Sequence, residues 1–104
     1  MLRRMAGTRR NWTFLTNHAA VLVCIAGNPD SRIEDIASEV GISRRAAQMI
    51  VGDLVADRYI ERRRIGRRNQ YRVHAEMPLR RRPFQDRDVR TLIGLLAGRD
   101  TPRG

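Results

Sequence analysis

The sequence predicts a mostly helical α+β domain in which three helices are closed by a two-stranded hairpin and followed by one extra helix. Three observations carry this. Apolar residues recur at helical spacing over 12–26, 33–40 and 44–56. After Arg58 the pattern turns extended on both sides of a stretch containing Gly and Asn, and helical spacing then returns over 84–97. At 104 residues the chain is long enough for one core and too short for two. It divides into a basic arm (1–11), a core domain (12–75), and a linker with a final helix (76–104).

The first helix carries Trp12, Leu15, Ala19, Leu22, Val23 and Ala26 at spacings of three and four, and Gly27-Asn28-Pro29 ends it. Thr16 is placed to cap its main part, with Trp12 and Phe14 packing beneath it or against a partner subunit. Ile33, Ile36, Ala37 and Val40 form the apolar face of a second helix, and Ala47, Ile50, Val51 and Leu54 that of a third. Gly41 stands where the chain must take a left-handed conformation, which glycine does without steric cost. Ser43 follows as the cap of the third helix. Small Ala37 at the helix contact, Gly41 four residues later, and apolar Ile36, Val40, Ile42, Ala47 and Ile50 match the helix-turn-helix motif of DNA-binding proteins position by position.

The hairpin follows directly: Tyr59 to Ile65, a turn Gly66-Arg67-Arg68-Asn69, then Gln70 to His74, with Ile60, Tyr71 and Val73 facing the helices. Residues 16–74, and above all VGISRRAAQMIVGDLVADRYIERRR with RIGRRNQYRV, resemble the winged helix-turn-helix domains of small prokaryotic transcriptional regulators of the MarR and ArsR kind. The metal-binding cysteines of many ArsR-type sensors have no counterpart here, and the long helices that flank a MarR core are missing or shortened.

That resemblance implies a double-stranded DNA partner and roles for particular residues. The third helix would enter the major groove with its N-terminal end towards the base edges. Ser43, Arg44, Arg45, Gln48 and Met49 are its residues outside the apolar stripe. Arginine suits guanine O6 and N7 or a phosphate, and glutamine suits an adenine edge. Arg67, Arg68 and Asn69 at the wing tip, with Arg62 and Arg64 on the strand leading to it, would hold backbone or minor groove and supply affinity and register. The acids Glu34, Asp35 and Glu39 would face away from the DNA.

Charge agrees with this. The net charge is +10, and every one of the 21 basic residues is arginine, as in proteins of GC-rich genomes. Residues 59–82 hold nine arginines against Glu61 and Glu76, whereas 31–58 hold four against five acids. The arm 1–11 adds four arginines and no acid, suited to phosphates or a minor groove. A protein-interaction or RNA-binding winged helix is the competing reading. As a protein-interaction module it would need a neutral or apolar recognition face, which Arg44 and Arg45 oppose.

No Ser/His/Asp or Cys/His arrangement, glycine-rich phosphate loop or paired carboxylate suggests an enzyme, and no cofactor is implied. Cys24 and His18 read as a small buried hydrophobe and a half-exposed polar residue, and one Cys with two His makes no zinc set. The longest apolar run, AAVLVCIA, is far too short to span a membrane, and no signal peptide is visible, so a cytoplasmic location is expected. Glu76 to Pro83 reads as a linker or a strap over the domain. In the last helix, with Asp86 or Asp88 in its first turn and Gly98 at its end, Val89, Leu92, Ile93 and Leu96 form an apolar face. A three-helix core with its hairpin is already closed, so this face, with Trp12 and Phe14, is expected to form a homodimer contact. A fold back onto the first helix is the alternative. Nothing in the chain points to a particular small-molecule effector.

Overall fold

In the computed structural model, which describes residues 11–97, helix α1 (Asn17–Gly27) starts at Thr16, whose Oγ1 accepts a hydrogen bond from the Ala19 N–H at 3.1 Å. The expected cap is therefore present, but the expected stripe is rotated. Val21, Leu22 and Ile25 are the buried residues of α1, while Trp12 and Phe14 precede the helix and are 62% and 92% exposed. The physical reason is that Ala20 to Ala26 is apolar on every side, so periodicity cannot choose a face. Packing chooses it instead, since α1 touches every other helix and the second strand of the hairpin. Trp12 and Phe14 stack edge to face on each other, ring centres 5.1 Å apart.

Helix α2 (Ile33–Val40) buries Ile36 and Ala37, and helix α3 (Arg44–Ala56) buries Ala47, Ile50, Val51 and Leu54. Between them Gly41 has φ +84°, and its N–H and that of Ile42 both donate to the Ala37 carbonyl, at 2.8 and 3.0 Å. Ser43 Oγ accepts from the Ala46 N–H at 3.0 Å. Helix α3 ends differently from α2, with Arg58 rather than glycine in the left-handed region, at φ +68°. The Tyr59 and Arg58 N–H groups close on the Leu54 and Val55 carbonyls, which satisfies the helix end. Tyr59 and Leu54, joined by that bond, are both buried in the core, so the left-handed turn at Arg58 brings Tyr59 inward.

Strands β1 (Ile60–Ile65) and β2 (Arg68–Val73) pair antiparallel, from Ile60 opposite Val73 to Ile65 opposite Arg68. The turn is thus the two residues Gly66-Arg67, shorter than the four expected. Glycine at its first position, at φ +63°, permits so tight a loop, and Arg68 and Asn69 join the strand. The segment before α2 pairs with β2 where no strand was expected: the Tyr71 N–H donates to the Pro29 carbonyl at 3.0 Å.

Residues 75–88 are a strap. Leu79 N–H donates to the Arg87 carbonyl and Val89 N–H to the Met77 carbonyl, both at 2.9 Å, while the Tyr59 hydroxyl donates to the Pro78 carbonyl. Met77 and Leu79 pack against the core. Arg80 reaches back to the end of α3, with Nη1 3.2 Å from Asp57 Oδ2 and its guanidinium over the Tyr59 ring. Helix α4 (Val89–Leu96) is therefore shorter than the 84–97 expected, because the backbone of 87–89 is committed to pairing with the strap. Asp88 stands at its N-cap position without a side-chain cap bond, Asp86 precedes the helix, and Gly98 lies outside the described residues, as does the arm except for Asn11.

Val89 is 3% exposed and belongs to the core of its own chain, and Ile93 packs on that core. The part of α4 assigned to a dimer contact is thus half spent within the subunit. What it leaves outward is Leu95, 74% exposed, and Leu96.

Cys24 links α1 to α2, its thiol donating to Glu39 Oε1 at 2.6 Å. Burial first, then this hydrogen bond and the Glu39 charge, push the thiol pKa up to about 12. Thiolate, the reactive form, is then roughly 10⁻⁴ of the total at pH 8, against about a quarter for a free cysteine. Iodoacetamide should therefore label Cys24 in the folded protein orders of magnitude more slowly than in urea, and Glu39→Gln should speed labelling. Equal rates folded and unfolded would refute the assignment. Because the folded pKa is the raised one, the associated stability is present below the ordinary cysteine pKa and is lost as pH rises towards 12.

Candidate nucleic-acid interface

The turn at Gly41 sets α3 across α2 with its N-terminal half outward, and the hairpin carries its tip to the same side. Between them lies a groove of about 410 Å³. Arg44 and Gln48 line it from α3, Arg67, Arg68 and Asn69 from the wing, Asp30 and Arg32 from the approach to α2, and Glu34 from its first turn. Arg44 and Gln48 are four residues apart and so share one stripe of the helix. Arg45 and Met49 form the neighbouring stripe, exposed but outside the groove.

The other wing residues divide. Arg64 turns towards the tip, its Nε donating to the Gly66 carbonyl at 3.2 Å. Arg62 lies instead at the wing root, beside Val55, Arg58 and His74 at the far end of α3. Five of the expected contact residues, Arg44, Gln48, Arg67, Arg68 and Asn69, are thus brought together, while Arg45 and Met49 flank them and Arg62 stands apart. Ser43 serves the helix as its cap.

Sequence reasoning missed the acids of this groove. Asp30 organises the wing: its carbonyl accepts from Arg68 Nη2 at 3.3 Å and its carboxylate from the Gln70 amide at 3.0 Å. Glu34, expected to face away, lies in the groove with Oε2 3.8 Å from Arg44 Nη2. The pairing of Pro29 with Tyr71 draws the chain before α2 along β2 and carries Glu34 to the wing side. Asp35 and Glu39 do turn elsewhere, to the Arg32 N–H and to Cys24. Asp53 lies 2.8 Å from His18 and Asp57 pairs with Arg80, so the late acids of α3 are engaged away from the groove. Among the described residues no ion-pair partner engages Arg45, Arg62, Arg67 or Arg68, which leaves their charge available to an outside anion.

Three helices, a basic antiparallel wing and a capped helix exposing its N-terminal half define a winged helix-turn-helix, the architecture of DNA-binding transcriptional regulators. The MarR family model matches residues 13–67, more than half of the chain, and the protein belongs to the MarR family. Comparison with curated proteins and with solved structures finds no match. Members of the family are regulators that bind DNA rather than enzymes. No described helix is long and apolar enough to cross a membrane, and no group of three or more potential metal ligands occurs among the described residues.

Proposed function

We propose that the chain reads a specific double-stranded DNA sequence, with α3 in the major groove and the wing on the backbone or minor groove. The observation that supports it is the convergence of Arg44 and Gln48 with Arg67, Arg68 and Asn69 on one groove. Arg45 and Met49, on the adjoining stripe of α3, complete a face about one and a half turns long, and Arg64 extends the wing contact. Arg62, at the wing root, contributes to the positive field rather than to a contact.

The division of labour is tested by paired variants. Gln48→Ala or Arg45→Ala should cost on the order of 1 to 3 kcal/mol on the preferred site and flatten the preference among sequences. Arg67→Ala with Arg68→Ala should weaken all duplexes alike and make the salt dependence shallower. A wing pair that changed sequence preference, beside helix variants that did not, would reverse the roles. Equal affinity of the unmodified protein for every duplex would remove sequence reading altogether.

The working unit we propose is a homodimer that places two such faces on half-sites about one helical turn apart. Trp12, Phe14, Leu95 and Leu96 supply its contact, with Leu92 at the margin.

A further inference from the structure

We propose, building on the DNA-reading role above, that Glu34 is a positioning residue for base selection: it holds the Arg44 guanidinium in the orientation that reads guanine. Glu34 sits in the first turn of α2 and Arg44 opens α3, so the pair spans the turn of the motif, with Oε2 and Nη2 3.8 Å apart. Both line the groove. A carboxylate on a surface that must approach phosphates opposes binding, so it is unfavourable there unless it acts on a neighbour. Asp30, the other acid of the groove, is engaged by the Gln70 amide, whereas the partner of Glu34 is Arg44.

The chemistry of arginine makes such a pairing useful. Guanidinium has five donors in a planar fork, so one edge can face a carboxylate while the other faces guanine O6 and N7. In the free protein both side chains are exposed and the pair contributes little to the fold. When DNA closes the groove and displaces water, the attraction strengthens and the fork is fixed before it meets a base. The negative charge also penalises phosphate wherever Arg44 does not lie between. Glu34 thus lowers affinity for all duplexes while raising the difference between them, an effect opposite in sign to that of the wing arginines.

The test uses the full chain with two probes at one salt concentration: a duplex selected by the unmodified protein from a random pool, and the unselected pool. Glu34→Gln should bind the unselected pool several-fold more tightly, lose about tenfold in preference for the selected duplex, and melt at an unchanged temperature. Glu34→Asp keeps the charge but falls short of Arg44, so it should lose preference without the general gain in affinity. Arg44→Ala should remove the same preference, and adding Glu34→Gln to it should remove no more. If Glu34→Gln raised affinity for both probes equally, Glu34 would be an ordinary solvated charge and the proposal would fall. Absence of duplex binding by the unmodified protein would instead overturn the DNA-reading role itself, and this proposal with it.

Discussion

Raising monovalent salt from 50 to 200 mM will weaken duplex binding by roughly 150- to 500-fold for each subunit engaged. The groove and its rim present Arg44, Arg45, Arg64, Arg67 and Arg68, all exposed. Each phosphate neutralised releases counterions and adds about −0.9 to the slope of log affinity against log salt, so four to five contacts give a slope of roughly −3.6 to −4.5. Fluorescence anisotropy on a labelled duplex at four or more salt concentrations measures it. Arg67→Ala with Arg68→Ala should bring the slope towards about −1.8 to −2.7. A slope near zero would mean that the positive field is not what holds the DNA. The +10 charge of the whole chain does not set this number, because arginines such as Arg80 and Arg90, on the strap and α4, are paired with acids far from the groove.

The elements governed by local chemistry were legible in the sequence. Thr16 and Ser43 as caps, Gly41 at positive φ, and the change of period after Arg58 each rest on a few adjacent residues, and each appears where its chemistry demands. Much of the candidate site was legible for the same reason: α3 and the wing tip carry their arginines in continuous stretches. Features that depend on distant contacts were not. The face of α1 is chosen by packing, since Ala20 to Ala26 offers no polar side. Arg58 stands in a left-handed position that would normally be assigned to glycine, and only the burial of Tyr59 with Leu54 in the core shows why it is held there. Helix α4 starts late because Arg87 and Val89 bond to the strap. Glu34 reaches the groove through the pairing of Pro29 with Tyr71, residues 42 positions apart that no local pattern connects. The contact is one hydrogen bond, from the Tyr71 N–H to the Pro29 carbonyl, and leaves no strand signature in residues 28–31.

Leu95→Glu is expected to yield a folded monomer whose affinity for a duplex with two half-sites falls by a factor of about 10² to 10⁴, the loss that follows when two binding units cease to be linked. Leu95 is suited to the test because it is 74% exposed, so the substitution leaves the subunit's own packing alone. Val89 is not, since it lies in the core, and Leu92 lines the same cleft as Leu22 and Val89. A second feature supports this proposed contact. Leu96 and Ala97 line an open groove with Leu15, Ala20, Val23 and Val40, to which Cys24, Asn28 and Glu39 add a polar part, and the exposed Trp12 and Phe14 precede Leu15 in the chain. Exposed large apolar side chains are the usual mark of an interface, and a second copy would bring the same groove and the same aromatic pair, each able to cover the other about a two-fold axis. Helix α4 has only eight residues and gains little stability alone, so covering its outer side also secures it on α1. Analytical ultracentrifugation decides the matter: the unmodified chain should sediment as a dimer at tens of micromolar and Leu95→Glu as a monomer with an unchanged circular dichroism spectrum. Phe14→Ser should shift the equilibrium in the same direction from the other side of the contact. An unmodified chain that sedimented as a monomer would leave α4 as a cover for its own subunit, and DNA reading would then rest on a single face of α3 and its wing.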